Sequence, residues 1–405
     1  MGKIVVIGGG PAGLMATYSA LSLGKEVVLV EKNEKLGKKL YITGKGRCNL
    51  SNDTIGEEFF KNIVTNPKFL FASLASFSSQ DTVEFFNNNG LALKTERGNR
   101  IFPESDKASD VTKVFERIFA KNKVDIRLNT AVLSIKTDEN GVCGVETDSE
   151  FIDCDSVIVA TGGVSYPLTG STGDGYKFAS ELGHTITKPL SALVGLETIK
   201  VYQDLQGLSL KNVVLHIDNG KKTIFHELGE MLFTHFGVSG PLVLSASSYI
   251  NKLDLPSLNI YLDLKPALDY QTLDNRLIRE FKENNLKSLA TVLGFLLPKS
   301  LVNPFLDKAK LNGNKICAEI TSVERKTIIE TLKRFEIRIK KLRPIEEAIV
   351  TCGGVAVKEV NPKTMESKLI KGLFFAGEVL DVDALTGGFN IQIALSTGYL
   401  AGQNA

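Results

Sequence analysis

The chain of 405 residues is longer than a single hydrophobic core usually grows, which predicts two or more cores. Its 43% hydrophobic and 23% charged residues give the balance of a soluble globular protein and exclude a disordered one. With 48 basic against 46 acidic residues the formal charge is only +2, which argues against a nucleic-acid partner.

The strongest signal opens the chain. Lys3-Ile4-Val5-Val6-Ile7 is a short β-branched run, Gly8-Gly9-Gly10-Pro11-Ala12-Gly13 follows at once, and residues 14–23 are helical in pattern. Gly24 ends that helix, residues 26–30 form a second apolar strand, and Glu31 closes it eighteen residues after Gly13. Strand, glycine turn, helix, strand and acid make a Rossmann dinucleotide unit. Gly8 permits the tight turn, Gly10 lets the backbone approach a pyrophosphate at the helix N-terminus, Gly13 allows close packing, and Glu31 accepts from a ribose. The unit alone fits FAD or NAD equally.

Further along, Thr43-Gly44-Lys45-Gly46-Arg47-Cys48-Asn49 is too glycine-rich and polar for a plain helix and reads as a second phosphate or flavin cradle. Lysines 32, 35, 38 and 39 can neutralise phosphates or form a solvated face. Asn87-Asn88-Asn89-Gly90 is a turn after a helix, and residues 125–135 read as one strand carrying Val132. Residues 156–160 form another strand that opens into Thr161-Gly162-Gly163, a bend suited to close passage by a ligand. Residues 191–344 lack cofactor motifs and read as an insertion, β-rich over about 191–265 and helical over about 266–335, where Leu273, Leu277, Ile278 and Phe281 have helical spacing. The cofactor segments resume with the strand ending in Gly377-Glu378, then Asp381 and the stretch Gly387 through Gln392 that starts a C-terminal helix. The domains expected are therefore 1–190 with 345–405, and 191–344.

The motifs GKGRCN at 44–49, ATGGVSYP at 160–167 and GEVLDVDALTGGFNIQ at 377–392, with the first glycine turn, resemble the aminoacetone oxidase family of FAD-binding enzymes, also known as BaiN-type flavoproteins. The resemblance extends to GSTGDG at 170–175, LFTHFGVSGP at 232–241 and VTCGGV at 350–355, and so touches most of the chain. It implies an α/β fold of the two-dinucleotide-binding flavoprotein type with an inserted β-rich and helical region, FAD as cofactor, and oxidoreductase activity. By motif position, Gly10, Ala12 and Gly13 would meet the pyrophosphate, Glu31 and Lys32 the adenosine ribose, and Val132 the adenine. Arg47 and Asn49 would lie at the inner end, with Cys48 between them. Thr161 and Gly162 would follow the next strand, Glu378 and Asp381 would reach the ribitol, and Asn390, Ile391 and Gln392 would offer backbone donors to the flavin ring.

Absences narrow the chemistry. No apolar run approaches the roughly 20 residues of a bilayer span, and with the first strand starting at Lys3 no signal peptide is expected. The five cysteines lie in no CxxC or Cys/His ligand spacing, so neither a redox disulfide nor a metal site is expected and a cytoplasmic location fits. No second G-x-G-x-x-G follows a strand and opens a helix. Two enzyme classes follow: an oxidase taking a hydride from a small, aminoacetone-like amine and using oxygen, and an NAD(P)H-dependent reductase of an enoyl-type acceptor. His235 is a candidate proton carrier, packing being its plainer role, and Cys48 reads as a buried packing residue.

Overall fold

The structure, a computed structural model, describes residues 2–405. Two compact units are present, Met1–Ala192 with Pro344–Ala405, and Leu193–Arg343.

The first unit is built on a parallel sheet whose spatial order is Leu373–Phe375, Ser156–Val159, Lys3–Ile7, Glu26–Val30 and Asp125–Arg127. The central strands are apolar on both faces because both are covered: Ile4, Val5, Val6, Val28, Leu29, Val157 and Ile158 are all at most 2% exposed. Helix Pro11–Ser22 starts with proline at its first turn, where no backbone hydrogen bond is lost, and packs against the C-terminal helix Phe389–Asn404. Two glycines set that approach. A Cβ on Gly398 would lie 2.2 Å from the Ala12 carbonyl oxygen, and one on Gly402 would lie 2.3 Å from that of Ala16. The two ends of the chain thus meet backbone to backbone.

The strand expected over 125–135 is two strands. Asn129 adopts φ +52° and donates its N–H to Asn33 O at 3.0 Å, while Thr130 N–H reaches Glu31 O at 3.1 Å. The chain is thereby turned out of the parallel sheet, and Val132–Asp138 pairs instead with Gly141–Thr147 in a three-stranded antiparallel sheet.

The second unit carries antiparallel strands ordered Phe335–Glu336, Leu258–Asp263, Ser209–Asn219, Lys222–Thr234, Gly237–Ser239, Leu196–Thr198 and Ile339–Leu342. The first and last of these are one run of chain. Phe335 pairs with Leu262, Ile337 N–H donates to Ile260 O, Ile199 N–H donates to Arg338 O, and Thr198 pairs with Ile339, so the ladder closes on itself as a small barrel. Its interior is filled by alternate residues, including Leu215, Ile217, Ile260, Leu262, Phe335, Ile337 and Ile339. Helices Tyr270–Glu283, Leu289–Leu293, Lys299–Ala309 and Ser322–Lys333 fall between two barrel strands and present Leu273, Leu277 and Phe281 to the same core. The β-rich part is thus not finished before the helices, because its closing strand comes after them. Among the described residues no helix is long and apolar enough to cross a membrane.

Candidate functional site

The predicted cofactor residues of the first unit gather at the C-terminal edge of its parallel sheet, where ligands of open α/β sheets bind. Gly8 turns at φ +104°, and a side chain there would strike Ala160 O at 2.6 Å, so the turns after the first strand and after Ser156–Val159 lie against each other. Around Gly10 the space is open, with no atom within 4 Å of where a Cβ would stand. The first helix has no side-chain cap and no acid in its first turn, and Leu14 N–H already bonds Gly10 O at 2.9 Å. Pro11 has no N–H, so Ala12 and Gly13 provide the free donors and the positive end of the helix dipole.

Glu31, 8% exposed, accepts from Gly9 N–H at 2.7 Å through one oxygen and from Asn33 N–H at 2.8 Å through the other. It thus steadies the glycine turn from the end of the neighbouring strand. Val132 begins its strand two residues past Thr130, whose N–H is held by Glu31 O.

Lys39, Glu378 and Ser165 form one cluster. Lys39 Nζ lies 2.7 Å from a Glu378 carboxylate oxygen and 2.7 Å from Ser165 Oγ, while the other carboxylate oxygen accepts from Thr351 N–H at 2.9 Å and Ser165 Oγ at 3.0 Å. Burial pushes the Glu378 carboxyl up, but the Lys39 ammonium and these hydrogen bonds outweigh it and hold the group below the ordinary carboxylate range. Gly377, at φ +77°, abuts Ala12, and its N–H donates to Thr397 Oγ1 at 2.9 Å, tying this turn to both helices.

Side-chain oxygens of Asn49, Thr161 and Asp381 are buried without a hydrogen-bond partner in the protein. Unpaired buried polar atoms are costly, so three of them on residues singled out for cofactor contact fit a polar ligand such as FAD. Gly162, at φ +73°, continues the bend after Thr161.

Three readings change, those of Arg47, Lys32 and Gln392. Arg47 does not point a free guanidinium to the inner end of the site: it bonds Glu96 at 2.8 Å and Asp106 at 3.3 Å and lies 4.1 Å from the Phe102 ring centre. Lys32 is engaged by Asp174 at 2.5 Å and by Thr172, so it ties the end of its strand to the 170–174 loop. Gln392 offers no free backbone donor, since its N–H bonds Gly388 O at 3.0 Å, and its side chain joins Ser51, Thr82, Phe77 O and Ser396. That leaves Asn390 and Ile391 with free N–H groups, Asn390 being held by its side chain to the backbone of Ala384. Cys48 is fully buried, and burial pushes its thiol up to about 12, so it packs rather than reacts. His235 is exposed in the turn between two barrel strands, against Phe236. Sequence reasoning missed Ser165 and Thr351, which position Glu378; ATGGVSYP and VTCGGV contained them without marking a role.

Together the fold and this cluster define a Rossmann dinucleotide protein with a polar site assembled from both ends of the chain. The profile of the HI0933-like protein Rossmann domain matches residues 2–404. The chain is 31% identical over 410 residues to a 3-dehydro-bile acid delta(4,6)-reductase of Clostridium scindens, covering 100% of this chain and 99% of that protein. It is 30% identical over 404 residues to a ribosomal RNA dihydrouridine synthase of Escherichia coli, covering 99% and 97%. Among solved structures, a 3-ketosteroid delta1-dehydrogenase from Sterolibacterium denitrificans shares the fold, with a TM-score of 0.51, 13% identity and 99% coverage of each chain. The chain belongs to the HI0933-like Rossmann family, and it is an FAD-dependent oxidoreductase.

Proposed function

We propose that this enzyme reduces a carbon–carbon double bond conjugated to a carbonyl, with NAD(P)H as electron donor. The observation that carries this reading is that two relatives matched end to end are named for reductions of that one kind. A 3-dehydro Δ4,6 bile acid is a dienone, and dihydrouridine is uridine hydrogenated across a double bond conjugated to its ring carbonyl. Oxidation of an aminoacetone-like amine by oxygen has no counterpart in either. The balance is one hydride from NAD(P)H to the carbon β to the carbonyl and one proton to the α carbon, leaving NAD(P)+.

When bound, FAD supplies hydride carriage between donor and acceptor. The chain's part is to hold it. The open space at Gly10 and the N–H groups of Ala12 and Gly13 suit the pyrophosphate. Glu31 suits the adenosine ribose, the unpaired oxygens of Asn49, Thr161 and Asp381 suit polar atoms of the cofactor, and the free N–H groups of Asn390 and Ile391 suit negative charge at the ring.

Anaerobic addition of NADPH or NADH to the yellow protein is expected to bleach the flavin band, and an α,β-unsaturated ketone is expected to restore it. Bleaching by aminoacetone and by neither nicotinamide would overturn the reading in favour of an oxidase. Glu31→Ala is expected to weaken FAD retention about tenfold or more, because a charged acceptor for the ribose and the brace on Gly9 go together. The FAD-to-protein absorbance ratio after dialysis measures it, and an unchanged ratio would contradict the ribose role.

A further inference from the structure

Charge is not evenly divided over the near-neutral chain. Residues 193–343 hold 22 Lys and Arg against 16 Asp and Glu, a surplus of six cations, whereas the rest holds 26 against 30. Much of the surplus falls on the strand that closes the barrel. Phe335, Ile337 and Ile339 are at most 4% exposed and point inward, so Arg334, Glu336, Arg338 and Lys340 alternate with them on the outside, all exposed.

The acids nearby are mostly spoken for. Asp263 binds Lys333 at 2.6 Å, and Glu197 binds Arg343 at 2.8 Å and Lys341 at 3.5 Å. Glu336 is shared loosely between Arg334 at 3.9 Å and Lys308 at 3.7 Å. Among the described residues no carboxylate lies within 4 Å of Arg338, Lys340 or Lys200. Lys308 shows how close these cations are: burial first, then the fields of Arg338 and Lys200, hold its ammonium below the ordinary lysine range against the pull of Glu336. Arg334 is pre-positioned, its guanidinium 4.0 Å from the centre of the Tyr261 ring, which stacks in turn on His216 at 4.6 Å and 8°.

Clustered, mutually repelling cations on a sheet face are costly unless an anion neutralises them. We infer that this outer stripe, Arg334, Arg338, Lys340, Lys200 and Lys308, is a docking surface for the phosphodiester backbone of RNA. The choice of RNA among polyanions rests on the reductase reading above, since one relative's named substrate is ribosomal RNA. Arg334, Arg338 and Lys340 follow one run of chain, with Lys308 of the helix Lys299–Ala309 and Lys200 of the loop after Leu196–Thr198 beside it, a spread that suits successive phosphates rather than a single small anion.

The test uses the oxidised holoenzyme without any reductant, so binding is read independently of reduction. A labelled uridine-rich single-stranded RNA is titrated by fluorescence anisotropy over a series of salt concentrations. Wild type is expected to bind with a negative log–log salt slope. Arg338→Glu with Lys340→Glu is expected to weaken binding at least about tenfold and reduce the slope by about 1.4, at about 0.7 per phosphate contact. FAD content, and reduction of a small unsaturated ketone, should stay unchanged in that variant. Lys121→Glu, exposed on the first unit, serves as the control and should bind as wild type does. Absence of RNA binding by wild type, equal losses in the control, or equal competition by polyglutamate would overturn the proposal. Loss of ketone reduction in wild type, with stripe-dependent RNA binding intact, would instead sink the reductase reading alone.

Discussion

Gly13→Ala is expected to yield a protein that unfolds at markedly lower denaturant and purifies without its yellow colour. The reason is steric and local. A Cβ on Gly13 would lie 1.8 Å from Gly8 O, 3.1 Å from Gly8 C and 3.3 Å from Val6 Cγ1. The nearest of these are backbone atoms of the glycine turn, so no side chain can rotate away. The turn at Gly8 has little room to shift, since even a Cβ added there would lie 2.6 Å from Ala160 O in the turn after Ser156–Val159. Relief would require the first helix to lift from the sheet, separating it from the C-terminal helix whose Gly398 lies on the Ala12 carbonyl. Overpacking of this kind costs about 3 kcal/mol or more. Gly10→Ala is the informative partner. Its φ of −77° suits any residue and nothing lies within 4 Å, so the urea midpoint of the apoprotein should move little. Its FAD affinity should nevertheless fall, because the methyl occupies the space assigned to the pyrophosphate. A Gly13→Ala protein that stays yellow with an unchanged midpoint would show that the turn is looser than its geometry states.

The contrast between these two glycines also marks what could be read without coordinates. The Rossmann unit was legible because each element is short, local and differently patterned: the strand Lys3–Ile7 and the strand Glu26–Val30 fall where their β-branched runs place them. The cofactor and enzyme class followed from motifs at both ends of the chain. Pairings that depend on distant partners were not legible. Nothing in Arg47 announces Glu96 and Asp106, and nothing in Lys39 announces Glu378, 339 residues away. Asn129 in a left-handed turn split a run that reads as continuous strand. The barrel's closing strand was missed although its signal was present, since Phe335-Glu336-Ile337-Arg338-Ile339-Lys340 alternates with period two. Its proximity to the helical pattern of Ser322–Lys333 disguised it. Averaging charge over 405 residues hid the cationic stripe in the same way.

Lys39→Met is expected to lower stability by about 2 kcal/mol at neutral pH, with a pH dependence that identifies the cause. Removing one member of a well-buried ion pair costs about 3–5 kcal/mol, and the figure is reduced here because both side chains remain about one-fifth exposed, 19% for Lys39 and 20% for Glu378. In the native protein burial alone would raise the Glu378 carboxyl, and Lys39 is foremost in holding it down. A carboxyl lowered on folding adds stability that is present above its unfolded value of about 4.3 and is lost as pH falls through the folded value. Without Lys39, burial is opposed only by the hydrogen bonds from Thr351 N–H and Ser165, so the carboxyl should rise and the contribution should shrink or change sign. The stability gap between wild type and variant should therefore be widest near pH 7 and narrow towards pH 4, where protonation removes the uncompensated charge in the variant. Urea midpoints of the two proteins across that range measure the gap. Adding Glu378→Gln should recover much of the loss at pH 7, because a neutral amide in that position no longer needs the ammonium. A gap independent of pH, or no recovery in the double variant, would place the effect in lost packing of the lysine stem rather than in the ion pair.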